Sequence, residues 1–180
     1  MCLTGPSAGP ISSATVTVFD SHFGTLHRVS VAGIPSRVRV SPDGHYGAAT
    51  GFVSGDSYAT IGFSTRTDVV DLRAGTVLFG LEKLTVRRDG KVFQAVDFNF
   101  WGVTFANDSR RFYATLGSGG HTYLIQGDVT TRQAAVLRSD VECPSLSPDT
   151  PGSPSRSGFP APSSPGGCRC SMWPPSRTIR

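Results

Sequence analysis

The chain has 180 residues and a formal net charge of +4, with 38% hydrophobic and 17% charged residues. It contains 21 Gly and 13 Pro, which argues against a helical bundle because helix interiors need long runs free of both residues. No apolar run approaches the roughly 20 residues of a membrane-spanning helix, so we expect no membrane insertion within the chain.

The excess positive charge lies at the C-terminal end of the chain. Up to Asp149, 13 Lys and Arg residues balance 13 Asp and Glu residues, and the four remaining arginines follow without any acidic residue. A nucleic-acid-binding protein gathers its basic side chains on one face or groove of a fold. The sequence therefore predicts no nucleic-acid partner.

From residue 14 onward, short alternating or β-branched runs recur between turn residues, a pattern typical of all-β proteins. The predicted strands are Ala14–Phe19, Thr25–Val31, Arg37–Val40, Tyr46–Phe52, Tyr58–Phe63, Asp68–Leu72, Thr76–Phe79, Leu84–Arg87, Val92–Phe98, Gly102–Phe105, Arg111–Leu116, Tyr123–Gly127 and Ala134–Leu137. Gly, Asn and Asp favour turns between them because these residues tolerate positive φ or bond nearby amides. The predicted turns include Asp43-Gly44, Asp89-Gly90, Asn107-Asp108 and Gly117–Gly120.

The body also contains a repeated pattern. A short strand, a polar turn with an aspartate and an aromatic-bearing strand occur at Val38–Thr50 and again at Gly102–Thr115. A third start, Pro144–Asp149, breaks off. The second and third starts are separated by about 40 residues, the length of a four-stranded propeller blade. The first interval is longer, and an extra hairpin around Asp89-Gly90 (Leu84–Phe98) accounts for the difference.

The repeat resembles that of a known family. Ser41-Pro42-Asp43-Gly44 after a short apolar strand resembles the WD40-like (PD40) repeat of TolB-type β-propellers. Val70–Leu72 and Gly127–Val129, each closing a third strand, are similar to a later part of that repeat, and Val96–Phe105 resembles the bacterial TolB-like proteins. The resemblance spans residues 14–149. It implies a non-catalytic, extracytoplasmic binding scaffold whose loops at one end of the central channel hold a protein or peptide.

The length of the body limits the number of blades. Propellers close with four to eight blades, whereas residues 14–149 supply about two to three units of ~40–45 residues. We therefore expect an all-β, incomplete β-propeller of four-stranded antiparallel blades, a fragment whose unpaired edges favour self-association. Residues 1–13 are expected to be a disordered N-terminal segment.

Residues 150–180 form a Pro/Ser-rich tail, with seven Pro and seven Ser. Such a segment buries too little apolar surface to offset its ordering entropy, so we expect disorder. The repeat breaks off where the composition changes, which suggests that the tail is a frame-shifted reading of the next blade. On that hypothesis Cys168, Cys170, Trp173 and the excess positive charge carry no selected function. A truncated chain that never completes its fold would itself be without function.

No residue is predicted to be catalytic, to bind a cofactor or to ligate a metal. The Gly-x-Ser-x-Gly turn of serine hydrolases is absent, and Gly51–Gly55 has the wrong spacing for it. The propeller portion of a prolyl-oligopeptidase-type serine hydrolase, lacking its catalytic domain, is the alternative to a binding module. Met1–Pro10 lacks the basic and apolar regions of a secretion signal, so the localisation is left open although the resemblance implies export.

Three sets of residues that resemble functional groups are interpreted as structural. The repeated aspartates and the histidines are interpreted as turn or surface residues, because no convergent ligand set is evident: Asp43, Asp108, Asp149, His22, His27, His45 and His121. Gly117–Gly120 is interpreted as a hairpin connection, since no phosphate-binding Lys-Ser/Thr follows it. Aromatic residues at alternating strand positions are interpreted as core between blades: Phe98, Phe100, Trp101, Phe105, Phe112 and Tyr113.

Overall fold

Strands dominate the described part of the chain. The structure, a computed structural model, describes residues 1–5, 13–53 and 64–146. The predicted strand Tyr58–Phe63, the aspartate turn at Ser147–Asp149 and the tail 150–180 lie outside the described residues.

The described residues form thirteen strands and one 3-10 turn, Leu81–Lys83. The strands are Cys2–Thr4 (β1), Ser13–Phe19 (β2), Thr25–Ala32 (β3), Ile34–Val40 (β4), Tyr46–Val53 (β5), Ser64–Asp71 (β6), Thr76–Gly80 (β7), Thr85–Arg88 (β8), Lys91–Val92 (β9), Asn99–Phe105 (β10), Arg111–Ser118 (β11), His121–Asp128 (β12) and Gln133–Ser139 (β13). The all-β expectation is confirmed for these residues.

The predicted strand Val92–Phe98 is wrong. Strand β9 ends at the first residue of this range, and pairing resumes only in β10. Between them the Asp97 carboxylate accepts hydrogen bonds from the Ser118 hydroxyl at 2.7 Å and the Gly119 amide at 2.5 Å. These bonds hold the connection against the β11–β12 turn, a tertiary contact that the alternating pattern does not reveal.

The expected disorder of residues 1–13 is wrong for Cys2–Thr4. These residues form β1, which pairs antiparallel with Thr15–Thr17 of β2. Leu3 packs against a buried apolar cluster of β2 and β3. Composition alone missed this strand because its hydrogen-bond partners come from a separate part of the chain.

The described strands form three sheets, none of which closes on itself. Sheet I has the order β1-β2-β3 and sheet II the order β4-β5-β6-β7. Sheet III has the order β10-β11-β12-β13-β8-β9. Neighbouring strands are antiparallel except for the parallel pair β13–β8. The four-stranded antiparallel arrangement predicted around residues 102–137 is present as β10 to β13.

The extra hairpin predicted around Asp89-Gly90 extends sheet III. Both turn residues have positive φ, 51° and 76°, as a two-residue type I′ hairpin requires. The hairpin is shorter than predicted, comprising β8 and β9. It covers the edge of β13 and so continues the sheet beyond four strands.

Sheet II is the middle of three stacked layers. Successive side chains of a strand point to opposite faces, and this alternation sends Ala48 and Val69 into the core shared with sheet III. Their chain neighbours Ala49 and Val70 enter the core shared with sheet I. The larger core lies between sheets II and III, and Phe112 is fully buried in it.

The turns after β4 and β10 share one hydrogen-bond pattern. In each, the first amide donates to the carbonyl five residues later, and an aspartate, Asp43 or Asp108, accepts the amide two residues later. The residue after the aspartate, Gly44 or Ser109, has positive φ. The two turns also meet, since the Asp43 amide donates to the Ser109 hydroxyl at 3.0 Å.

A second shared arrangement lies at the ends of β6 and β12. Asp71 and Asp128 each accept the amides two and three residues later. Each aspartate also contacts the side chain of the residue that directly follows the polar turn of the same sheet. His45 Nε2 lies 3.3 Å from Asp71 Oδ2, and Arg110 Nε lies 2.7 Å from Asp128 Oδ2. Sheets II and III therefore repeat the same turns and the same cross-strand pairing.

These turns predict a loss of stability in acid. The Ser41 hydroxyl and the His45 amide lower the pKa of Asp43, and the Ala74 amide lowers that of Asp71. A lowered folded-state pKa stabilises the protein above the unfolded pKa of about 3.9, and this contribution is lost as the pH falls through the folded value. We expect the urea midpoint to decrease as the pH is lowered below about 4.

The variant Asp43→Asn isolates one contribution. Both hydrogen bonds of the carboxylate use Oδ1, which an asparagine retains, so the turn is kept while the titration is removed. The variant is expected to lose less stability between pH 5 and pH 2.5 than the original chain, measured by urea titration. An unchanged pH dependence would contradict the role assigned to Asp43.

Candidate functional site

A cleft of about 360 Å³ opens between sheets II and III. It lies where β4 and β10 begin and where β5 ends. Residues from four strands line it: Ser36, Arg37, Thr50, Phe52, Thr65, Asn99, Trp101 and Gly102. Among the described lining residues the cleft combines two aromatic rings, neutral hydrogen-bonding groups and one charged side chain.

Threonines with little or no exposure, among them the buried Thr50 and Thr67, fix the two strands that form the floor of the cleft. The Thr67 hydroxyl donates to the Phe100 carbonyl at 2.7 Å, and the Thr65 hydroxyl lies 2.8 Å from the same oxygen. Thr67 also contacts the Thr50 hydroxyl at 3.0 Å. These polar links between β6 and β10 replace apolar packing at this end of the core, so they set the position of one sheet relative to the other.

Asn99 presents hydrogen-bond donors at this cleft. The Thr65 amide donates to Asn99 Oδ1 at 2.8 Å, and the Thr65 hydroxyl also bonds this oxygen. Because an amide N–H can only donate, these contacts identify Oδ1 as the acceptor atom. The Nδ2 group of Asn99 bonds no other described residue, and it retains two N–H donors for a ligand.

Arg37 is the charged residue among those that line the cleft. Its side chain is exposed on the edge strand β4. No carboxylate of the described residues pairs with it. The guanidinium of Arg37 is therefore available to a negatively charged group.

Trp101 and Phe52 supply the aromatic walls. Trp101 packs over Gly117, where a Cβ would lie only 2.8 Å from the indole ring. The absence of a side chain at this glycine makes room for the ring. Phe52 is 40% exposed at the end of β5. An apolar ligand group that contacted both rings would bury exposed aromatic surface, a favourable change.

The core interpretation holds for four of the six aromatic residues singled out in the sequence. Phe100, Phe105 and Phe112 are buried, and Phe98 packs against them. The core interpretation is wrong for Trp101 and Tyr113. They are half-buried and follow Phe100 and Phe112 directly, so strand alternation places them on the opposite face. Trp101 lies on the edge strand β10 and lines the cleft instead of filling the core.

His27 and His45 make structural contacts, whereas His22 and His121 are exposed. His27 contacts the Arg73 carbonyl at 2.9 Å, linking sheets I and II. His45 stacks on Tyr46, with ring centroids 4.3 Å apart, and pairs with Asp71. Because sheet III has the corresponding pair without a histidine, the His45 contact belongs to the scaffold. Gly119 and Gly120 form the β11–β12 turn, as the sequence predicted.

Glu82 has a pKa above its usual value. Burial raises the pKa of Glu82, the amide hydrogen bonds of Glu82 and Thr67 oppose this, and the charge of Asp68 raises it further. Glu82 Oε1 accepts the Thr67 amide at 3.2 Å, immediately beyond the Asp68–Gly80 pair that ends β7. The Glu82 carboxylate therefore accepts the hydrogen bond that a backbone carbonyl would have accepted if β7 had continued by one residue. This role is structural.

Sequence reasoning missed Arg37, Asn99 and Phe52 as potential ligand contacts. Each lies in or beside a predicted strand, and the three are far apart in the chain. The pattern that could have identified Arg37 is a charged residue in an apolar run, but such residues are also common on edge strands.

The described residues contain no group of three or more His, Cys, Asp and Glu side chains arranged to hold a metal ion. Within the described ranges, no helix has the length and apolarity needed to cross a membrane. Neither a protein-family model nor a curated protein matches the chain. The functional assignment therefore rests on the cleft and on the turns that sheets II and III share.

Proposed function

We propose that the chain is a run of β-propeller blades of the TolB-like type, acting as a non-catalytic binding module. In this assignment sheets II and III are blades, sheet I is part of another, and the cleft between II and III receives a protein or peptide ligand.

The observation that carries the proposal is the repeated geometry of sheets II and III. Each contains four consecutive antiparallel strands, β4 to β7 in sheet II and β10 to β13 in the six-stranded sheet III. Each also has the same polar turn after the first of these strands and the same aspartate pairing at the end of the third. Repetition of one supersecondary unit, stacked face to face, is characteristic of propeller blades. The first strands also lie together, since β4 contacts both β1 and β10, as inner strands around a channel do.

The binding role is supported by the position of the cleft. It opens at the end of the stacked sheets where β4 and β10 begin, which in a propeller is one rim of the central channel. Propellers carry their ligands on loops at such a rim.

We also propose that the chain associates with itself through the edges of its sheets. Strand β4 carries Pro35 and Arg39, which oppose pairing with a second chain, and β9 has only two residues. The outer strands β3 and β7 have no further described partner and expose Leu26 and Val77. We expect any association to use these two edges.

A peptide selection tests the binding function. Peptides selected on the chain from a random displayed library are expected to bind Phe52→Ala at least about fivefold more weakly, because exposed aromatic surface in the cleft is lost. Phe23→Ala is the matched control, since Phe23 is 86% exposed and lies outside the cleft.

Affinities are measured by titration calorimetry on variants with unchanged unfolding midpoints. Selected peptides that bind both variants with the original affinity would contradict the cleft as the binding site. A library that yields no binder would contradict the binding function.

A further inference from the structure

We infer that the cleft binds a carboxylate adjoining an apolar side chain, as in the C-terminal residue of a peptide. This inference rests on the proposed binding function and specifies the chemistry of its ligand.

The charge of the cleft selects an anion. Arg37 is the charged member of the lining, and no described carboxylate neutralises it. A guanidinium offers five N–H donors in a planar fork that matches the two oxygens of a carboxylate. An unpaired arginine beside a cleft is therefore better suited to a carboxylate than to a neutral or cationic group.

The neutral groups also favour acceptors on the ligand. Thr65 holds Asn99 through its Oδ1 atom, so the Nδ2 group is left to donate. Thr65 and Thr67 direct their hydroxyl protons to Asn99 and to the Phe100 carbonyl. The cleft thus combines a cationic fork with amide donors, and two of its carbonyl oxygens, Asn99 Oδ1 and that of Phe100, already accept hydrogen bonds.

The two aromatic side chains of the cleft favour an apolar group next to the carboxylate of the ligand. Trp101 and Phe52 lie in the same cleft as Arg37, and they offer rings against which an apolar side chain packs. The volume of about 360 Å³ is at the small end of the range for ligand pockets, roughly 300–1,000 Å³. It suits one terminal residue better than a long folded segment.

Three probes test the ligand chemistry by titration calorimetry with the full chain. They are acetyl-Ala-Ala-Phe with a free carboxylate, the same peptide with a C-terminal amide, and N-acetylphenylalanine. The free acid is expected to bind at least about tenfold more tightly than the amide, because only the acid forms the charge-assisted pair with Arg37. Raising the salt concentration from 50 to 500 mM should weaken the acid and leave the amide nearly unchanged.

Two variants and a control assign the effect to the cleft. Arg37→Gln is expected to reduce binding of the acid to the level of the amide. Arg39→Gln removes a neighbouring exposed arginine of β4 that is outside the lining, and it should change binding by less than about twofold. Asn99→Asp keeps an acceptor for Thr65 but adds a negative charge, so it should weaken the acid more than the amide.

The outcomes separate this inference from the proposed function. Equal affinity for acid and amide, or an equal loss in Arg37→Gln and Arg39→Gln, would overturn the carboxylate inference while leaving a peptide-binding module. Should Arg37→Gln fail to fold, the acid–amide ratio, its salt dependence and Asn99→Asp still decide the question. Tight binding of the peptide with weak binding of N-acetylphenylalanine would assign the carboxylate to a polypeptide terminus, and equal binding would assign it to the terminal residue alone.

Discussion

Replacing Phe112 by alanine is expected to lower the free energy of unfolding by about 3–5 kcal/mol. The Phe112 side chain is fully buried between sheets II and III. Its ring packs on Gly127, where an added Cβ would clash with the ring, and meets the Phe105 ring edge-on at 6.4 Å. The surrounding strands are held by their ladders, so the cavity left by the ring cannot collapse fully.

The matched control is Phe23→Ala, which removes the same side chain from a site that is 86% exposed. Its effect is expected to stay within about 0.5 kcal/mol. Urea denaturation followed by circular dichroism measures both variants. Similar losses in the two would show that sheets II and III do not share a packed core.

Gly33→Ala is expected to destabilise the protein by about 3 kcal/mol, from backbone strain and overpacking together. Gly33 joins β3 of sheet I to β4 of sheet II and has a φ of 91°, in the region that favours glycine. A Cβ at this position would lie 2.5 Å from the Phe52 carbonyl oxygen. The obstructing atom belongs to the backbone of a paired strand, so it cannot move aside cheaply.

Gly44→Ala separates strain from the clash. Gly44 also has positive φ, 71°, but a Cβ there would meet nothing within 4 Å. This variant is expected to lose only about 1 kcal/mol, the cost of a left-handed conformation for an L-residue. Thermal and urea unfolding compare the pair, and an equal loss in both would contradict the close approach at Gly33.

The aspartate turns illustrate what local sequence determines. An aspartate bonds amides two or three residues away, and the glycine after Asp43 adopts positive φ at no steric cost, so the geometry is set within a few residues. This is why the turns at Asp43 and Asp108 could be predicted from their spacing. Strand alternation is equally local, and it identified most strands and most of the buried aromatic residues.

The cleft required contacts between distant parts of the chain. Arg37, Thr65 and Asn99 belong to β4, β6 and β10, and nothing in the sequence near any one of them indicates the other two. The threonine hydrogen bonds to the Phe100 carbonyl bring these strands together. The same limit explains the errors at Val92–Phe98, where Asp97 binds a turn more than twenty residues away, and at Cys2–Thr4.

The sequence by itself determined the all-β class, the four-stranded units and their polar turns, because these depend on side-chain alternation and on hydrogen bonds between near neighbours. Only the tertiary structure decided which faces pair, that Trp101 leaves the core, and that Arg37, which pairs with no carboxylate of the described residues, lines a cleft with two aromatic rings. Those features depend on the register and stacking of whole sheets, where the energy comes from burial summed over many residues instead of from any local pattern.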